Sequence, residues 1–126
     1  MKALRTSFYV YLFLSILWFL LIIYLMFFYA PSSFNYLPKF SYIDKIIHFL
    51  LFFIQSFFIL KSIVSYQLNL INKYKFLILT VLILFAIIIE YQHYFISFRT
   101  FDVYDMTTNV FGIIVGVFYV ILLDNK

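Results

Sequence analysis

The sequence predicts an all-α membrane protein, a bundle of four transmembrane helices, and three observations support this prediction. Of the 126 residues, 67% are hydrophobic and 11% are charged, whereas soluble domains carry about 25% charged residues. The apolar residues form four runs, each long enough as a helix to cross a hydrocarbon core of about 30 Å. Polar connections separate the runs, which account for nearly the whole length. We therefore expect one transmembrane domain over residues 1–126.

The first predicted helix covers residues 7–29. No charged residue occurs between Thr6 and Pro38, and the apolar run is longer than that of a signal peptide, which has about 7–15 residues. We therefore expect this segment to be retained as a transmembrane helix. Helix-breaking and polar residues then predict a loop. They are Pro31, Ser32, Ser33, Asn35 and Pro38.

The other three helices are predicted at residues 44–64, 76–95 and 104–123. The second begins at Asp44, a residue type that suits a helix N-terminus because its carboxylate can accept hydrogen bonds from free backbone N–H groups. Lys61, near the end of that helix, can extend its ammonium toward the headgroups. A short polar connection is expected before the third helix. It contains Gln67, Asn69, Asn72, Lys73 and Lys75.

The distribution of charge predicts the orientation of the bundle. Six of the nine Lys and Arg residues lie on the side that holds both termini, and cytoplasmic loops carry an excess of such residues. We therefore expect both termini in the cytoplasm. Because these basic residues stand singly at segment ends, we expect no nucleic-acid partner. Four of the five acidic residues lie on the outer side, and this asymmetry predicts a functional surface there: Asp44, Glu90, Asp102 and Asp105.

Polar side chains share one face of each of three helices. Asp44 and His48 are spaced i, i+4 on the second helix, and Glu90 and His93 are spaced i, i+3 on the third. On the fourth helix a polar half is followed by Gly-x-x-x-Gly, a motif that allows close backbone approach. That face carries Asp105, Asn109, Gly112 and Gly116. We expect the three faces to meet near the outer interface, with Arg99 lying across the top.

Three chemistries suit this polar cluster, which contains Asp44, His48, Glu90, His93, Arg99, Asp105 and Asn109. The first is a divalent metal site built from carboxylates and imidazoles, such as Asp44, His48, Glu90 and His93. The second is acid–base catalysis by Glu90, with a histidine carrying the proton. The third is recognition of phosphate or carboxylate by the planar guanidinium of Arg99.

Each of these residues also has a structural interpretation. Asp44 and Asp105 can cap helices, Arg99 can pair with a nearby aspartate, and Asn109 can bond another helix. The chain contains no cysteine, which excludes thiolate nucleophiles and Cys-ligated metals. No base is placed beside a serine or threonine by the sequence, so we favour a protein that is not an enzyme, with catalysis left open. We assign no metal and no cofactor.

Several motifs follow one another along the second, third and fourth helices. They are Asp44-Lys45-Ile46-Ile47-His48-Phe49, then Glu90, Arg99-Thr100-Phe101, Asp105, Asn109, Gly112 and Gly116. In order and spacing this series resembles the VanZ-like family of bacterial membrane proteins. The family pattern usually has Gln three residues after the Glu, where this chain has His93. The resemblance implies a small four-helix protein of the bacterial inner (plasma) membrane, and the founding member has an accessory part in resistance to the glycopeptide teicoplanin.

These observations lead to two functional hypotheses. In the first, the protein lies in the lipid bilayer as a multi-pass protein, and its outer-face site binds or modifies a cell-envelope component, such as a lipid-linked or anionic precursor. An effect on teicoplanin susceptibility belongs to this hypothesis. In the alternative, the protein is a non-catalytic structural or partner-binding protein whose polar cluster only stabilises the bundle. The sequence leaves the oligomeric state open, including a dimer through the face of Gly112 and Gly116.

Overall fold

Four long helices make up the architecture. The structure, a computed structural model, describes residues 2–28, 41–97 and 100–124, of which 2–5, 41, 68–70 and 72 are described by their backbone. Over these residues it contains no strand, and its helices are α1 (Lys2–Ile23), α2 (Ser41–Tyr66), α3 (Leu68–Gln92) and α4 (Val103–Asp124). A π-helical segment, Tyr24–Phe28, continues α1, and a 3-10 turn, His93–Phe95, continues α3.

Each helix is long and apolar enough to cross a membrane. The four candidate spans within the described ranges are Thr6–Phe28, Tyr42–Tyr66, Lys73–Phe95 and Val103–Asp124. The predicted all-α, four-helix fold is therefore confirmed. Many large apolar side chains point away from the bundle, as lipid contact requires. Examples are Phe13, Phe28, Phe76, Leu84, Phe111 and Phe118.

The connection between α2 and α3 is shorter than the sequence indicates. Gln67 alone lies outside a helix there, and α3 begins at Leu68, well before the predicted start at residue 76. The Gln67 backbone N–H donates to the Ile63 carbonyl at 2.9 Å and so satisfies the end of α2. Polar residues can extend a helix past the hydrocarbon because their side chains reach water while the backbone bonds stay intact. The predicted loop of residues 31–38 lies outside the described residues.

Side-chain contacts fix the relative directions of the helices. The Gln55 carboxamide donates to Ser15 Oγ at 3.0 Å, and the Trp18 indole donates to the Leu51 carbonyl at 2.9 Å, so α1 and α2 run antiparallel. The helices α2 and α4 run parallel, because ion pairs join both their starts and their ends. We call the end where α2 and α4 begin the site end, and the other the opposite end.

The helices α2 and α4 pack closely through two glycines. A Cβ on Gly112 would collide with the Phe49 carbonyl oxygen and lie 3.1 Å from the Phe53 nitrogen. A Cβ on Gly116 would collide with Ser56 Oγ and lie 2.8 Å from the Phe53 carbonyl oxygen. The glycine face is therefore covered by α2 of the same chain. The cytoplasmic location of the termini stays a prediction.

We expect Gly112→Ala to destabilise the bundle by about 1–2 kcal/mol, because overpacking outweighs the gain in helix propensity. The collision is with a backbone oxygen of α2, which cannot rotate away as a side chain can. The measurement is the free energy of unfolding in mixed micelles. Thr107→Ala, an exposed position on the same helix, is the control and should change stability by less than about 0.5 kcal/mol. Equal stability of Gly112→Ala and the wild type would contradict the close packing.

Candidate functional site

Lys45 joins α2 to the start of α4. Its ammonium Nζ lies 2.7 Å from Asp105 Oδ1 and 3.1 Å from Asp102 Oδ2. The Asp105 side chain is 9% exposed and the Lys45 side chain 22%, so both charges are largely removed from water. The ammonium also lies 5.6 Å from the centre of the Tyr104 ring. This ion-pair network is the strongest polar link between the two helices at the site end.

Lys45 was not among the predicted site residues, although its position in the sequence indicates a buried or paired charge. Lys45 lies in the first turns of α2, where a cation is disfavoured because the helix N-terminus already carries partial positive charge. A lysine at such a place indicates anionic partners elsewhere in the fold. Here the partners are Asp102 and Asp105.

His48 lies beneath Lys45 on α2 and is buried. Its Nδ1 lies 3.0 Å from the carboxamide oxygen of Asn109 on α4, which is fully buried. Because that oxygen only accepts, Nδ1 carries a proton and donates. The other ring nitrogen, Nε2, lies 3.9 Å from Asp44 Oδ1 and 3.8 Å from Asp105 Oδ2. Both distances are too long for a hydrogen bond.

Asp102 links the residues around Lys45 and His48 to Glu90 on α3. Burial disfavours its ionised form, but the Tyr104 backbone N–H and the Lys45 ammonium stabilise that form more strongly, so the pKa of Asp102 lies below its ordinary value. Its carboxylate therefore accepts from Tyr104 N–H at 2.8 Å as a charged cap at the start of α4. The Asp102 backbone N–H donates to Glu90 Oε1 at 3.2 Å.

Glu90 and His93 form a buried pair at the end of α3. Glu90 is fully buried and His93 is 2% exposed. Glu90 Oε1 lies 3.1 Å from His93 Nδ1, and the ring of Phe27 meets the imidazole edge-on with centres 6.4 Å apart. Glu90 Oε2 and His93 Nε2 have no hydrogen-bond partner among the described residues. The spacing along α3 brings these groups together, as the sequence indicates.

The structure divides the predicted cluster into two groups. We call the first the His48 group, and it contains Asp44, Lys45, His48, Asp102, Asp105 and Asn109. We call the second the Glu90 pair, Glu90 with His93. The metal site suggested by the sequence consisted of Asp44, His48, Glu90 and His93. In the structure, the candidate ligand atoms that lie within 4.8 Å of one another belong to Asp44, His48 and Asp105. Arg99 lies outside the described residues.

The opposite end of the bundle carries much less polar chemistry. Within residues 2–28, 41–97 and 100–124, its ion pair is Lys61 with Asp124, at 2.8 Å.

The hydroxyls of Thr107 and Thr108 on α4 donate to helix carbonyls, Val103 O and Asp105 O. Among the described residues, no side-chain base forms a hydrogen bond with either hydroxyl.

Comparison of the chain with models of protein families, with curated proteins and with solved structures found no match. The resemblance to the VanZ-like family therefore rests on the sequence motifs and stays a prediction.

We expect Lys45→Met to destabilise the protein by about 2 kcal/mol, between the values typical of exposed and buried ion pairs. The methionine keeps the length of the side chain but leaves Asp105 without its cation. Adding Asp105→Asn should restore part of the loss, because the uncompensated charge is then gone. A double-mutant cycle of unfolding free energies measures this coupling. Strictly additive effects would show that the two side chains do not interact.

Proposed function

We propose that this chain is a multi-pass membrane protein of the VanZ-like family and that its site end binds a component of the cell envelope. The observation that carries the proposal is the concentration of buried and half-buried ionisable groups at one end of an apolar bundle. They come from three different helices: Lys45, His48, Glu90, His93 and Asp105. Ionisable groups within membrane spans are costly, and those that persist usually mark a binding or transport site.

The position of the site suits a ligand held in the membrane. It lies where α2 and α4 begin, at the ends of two candidate membrane spans. A lipid-linked molecule could place its headgroup at such an end and its chain along the bundle. The site is not sealed, because the side chains of Asp44 and Asp102 are 56% and 36% exposed. Two buried polar atoms that have no partner among the described residues, Glu90 Oε2 and His93 Nε2, add hydrogen-bonding capacity.

The charges of the site indicate what part of such a ligand it contacts. The His48 group holds three carboxylates and one ammonium, so it favours amines, hydroxyls and cations. Arg99, known here from the sequence alone, is the group suited to a phosphate or carboxylate. A headgroup with donors and an anionic linkage would therefore suit the whole cluster. Because no described hydroxyl is activated, we propose binding and not modification.

One observation favours a structural function instead. Most of the described polar groups already pair within the chain, as Lys45 does with two aspartates and His48 with Asn109. A network of this kind can hold α2 and α4 in register without a ligand. A substitution of Asp44 distinguishes the two functions. Its side chain is 56% exposed, and among the described residues its polar contact is the 3.9 Å approach to His48. A purely structural cluster would tolerate its loss.

We expect Asp44→Asn to reduce the amount of co-purifying envelope lipid about tenfold, since a hydrogen bond to a charged group contributes about 1.5–3 kcal/mol. The measurement is native mass spectrometry of protein extracted in lipid nanodiscs from bacterial membranes. Asp124→Asn, the same change at the opposite end, is the control and should retain the lipid. In a teicoplanin-susceptible bacterium, the wild type and this control should raise the inhibitory concentration of teicoplanin, and Asp44→Asn should not.

The structural alternative predicts a different pattern. Wild type and both variants would then carry no specific lipid, and expression of any of them would leave teicoplanin susceptibility unchanged. That result would contradict envelope binding.

A further inference from the structure

We propose that Asp44, His48 and Asp105 bind a divalent transition-metal ion at the site end of the bundle. The inference goes beyond the proposed function and does not depend on it. The three side chains come from two helices that the α2–α4 contact holds in register, and their ligand atoms lie within 4.8 Å of one another.

The distances leave room for an ion between the three groups. His48 Nε2 lies 3.9 Å from Asp44 Oδ1 and 3.8 Å from Asp105 Oδ2, too far for direct hydrogen bonds. Two ligand atoms that each lie about 2.1 Å from one tetrahedral metal are about 3.4 Å apart. Small side-chain rotations therefore bring these atoms to metal-binding distances. Asp44, which is largely exposed, is free to make most of that adjustment.

The imidazole provides an independent observation. The His48 side chain is 3% exposed, and its Nδ1 is occupied by the Asn109 carboxamide. Nε2 has no hydrogen bond to any described residue, yet it points between two carboxylate oxygens. A ring nitrogen placed between two carboxylates is stabilised by a cation in that space, either a metal ion or a proton on Nε2 itself. Metal-bound histidines usually donate their second N–H to a carboxylate or carbonyl oxygen, as His48 does here.

The charge of the His48 group also favours a divalent ion. Asp44, Asp102 and Asp105 contribute three negative charges, and Lys45 contributes one positive charge. Carboxylates therefore outnumber cations in this group, and a divalent ion would offset the excess negative charge at the edge of a low-dielectric bundle. Lys45 does not block the site, because it bonds Asp105 through Oδ1 and leaves Oδ2 facing His48.

The mixture of ligands indicates the class of metal. Imidazole nitrogen with carboxylate oxygens suits Zn²⁺, Co²⁺, Mn²⁺ or Fe²⁺, whereas Ca²⁺ and Mg²⁺ prefer oxygen ligands alone. Three protein ligands leave a coordination position for water or another molecule, as in zinc sites that are not purely structural. The rival occupant of the same space is a proton on Nε2, which would make His48 an imidazolium that contacts both carboxylates.

The test measures metal binding by the full chain in detergent micelles. After treatment with a chelator and dialysis, the protein is titrated with Zn²⁺, measured by elemental analysis, and with Co²⁺, measured by its visible absorption. We expect one ion per chain for the wild type and affinity lower by about tenfold or more for Asp44→Asn. Because Asp44 is exposed, this variant should fold, which circular dichroism checks.

Two control variants make the result specific. Asp124→Asn removes a carboxylate at the opposite end, and His93→Gln removes the buried imidazole of the Glu90 pair; both should bind like the wild type. Absence of a stoichiometric ion in the wild type, or equal affinity of Asp44→Asn and Asp124→Asn, would overturn the proposal. So would a His48 imidazole that stays protonated at neutral pH in the presence of excess Zn²⁺. Lipid retention is a separate measurement, so failure here leaves the proposed function untouched.

Discussion

The close parallel packing of α2 against α4 is the constraint on which the rest of the structure depends. Two glycines let the α4 backbone approach Phe49, Phe53 and Ser56 on α2. This register brings together three pairs of residues that are 60, 61 and 63 positions apart in the sequence. They are Lys45 with Asp105, His48 with Asn109, and Lys61 with Asp124. One helix contact therefore places the polar groups of both ends, and a shift of one helix past the other would break all of them.

This packing explains why charge is tolerated in such an apolar chain. Buried carboxylates find partners on other elements: Asp105 contacts Lys45 on α2, and Glu90 accepts from the backbone of Asp102. His93 contacts Glu90, three positions before it. Removing charges from water is costly unless they are paired and hydrogen-bonded. Among the described residues, buried side-chain atoms without a hydrogen-bond partner occur at the site end in Glu90, His93 and Asn109, but also in Gln55 and in Asp124 at the opposite end. The site end therefore holds most of these atoms, not all of them.

The sequence predicted the fold because hydropathy and helix length are local properties. It also predicted which polar residues share a helix face, since Asp44 with His48 and Glu90 with His93 follow from the helical repeat alone. It did not predict the individual contacts between those faces. Glu90 and His93 were grouped with Asp44 and His48, whereas the structure pairs them with each other and with Asp102. The early start of α3 was missed because polar residues at a membrane boundary resemble a loop.

The most direct test of this account is a solid-state NMR distance measurement in lipid bilayers, with ¹⁵N on lysine side chains and ¹³C on aspartate carboxyls. We expect a direct contact between the Lys45 ammonium nitrogen and the carboxyl carbon of Asp105, and we expect Asp105→Asn to remove this signal while the contact with Asp102 remains. A Lys45 signal without aspartate contact would mean that α2 and α4 are not held in this register. The polar cluster at the start of α2 and α4 would then not form.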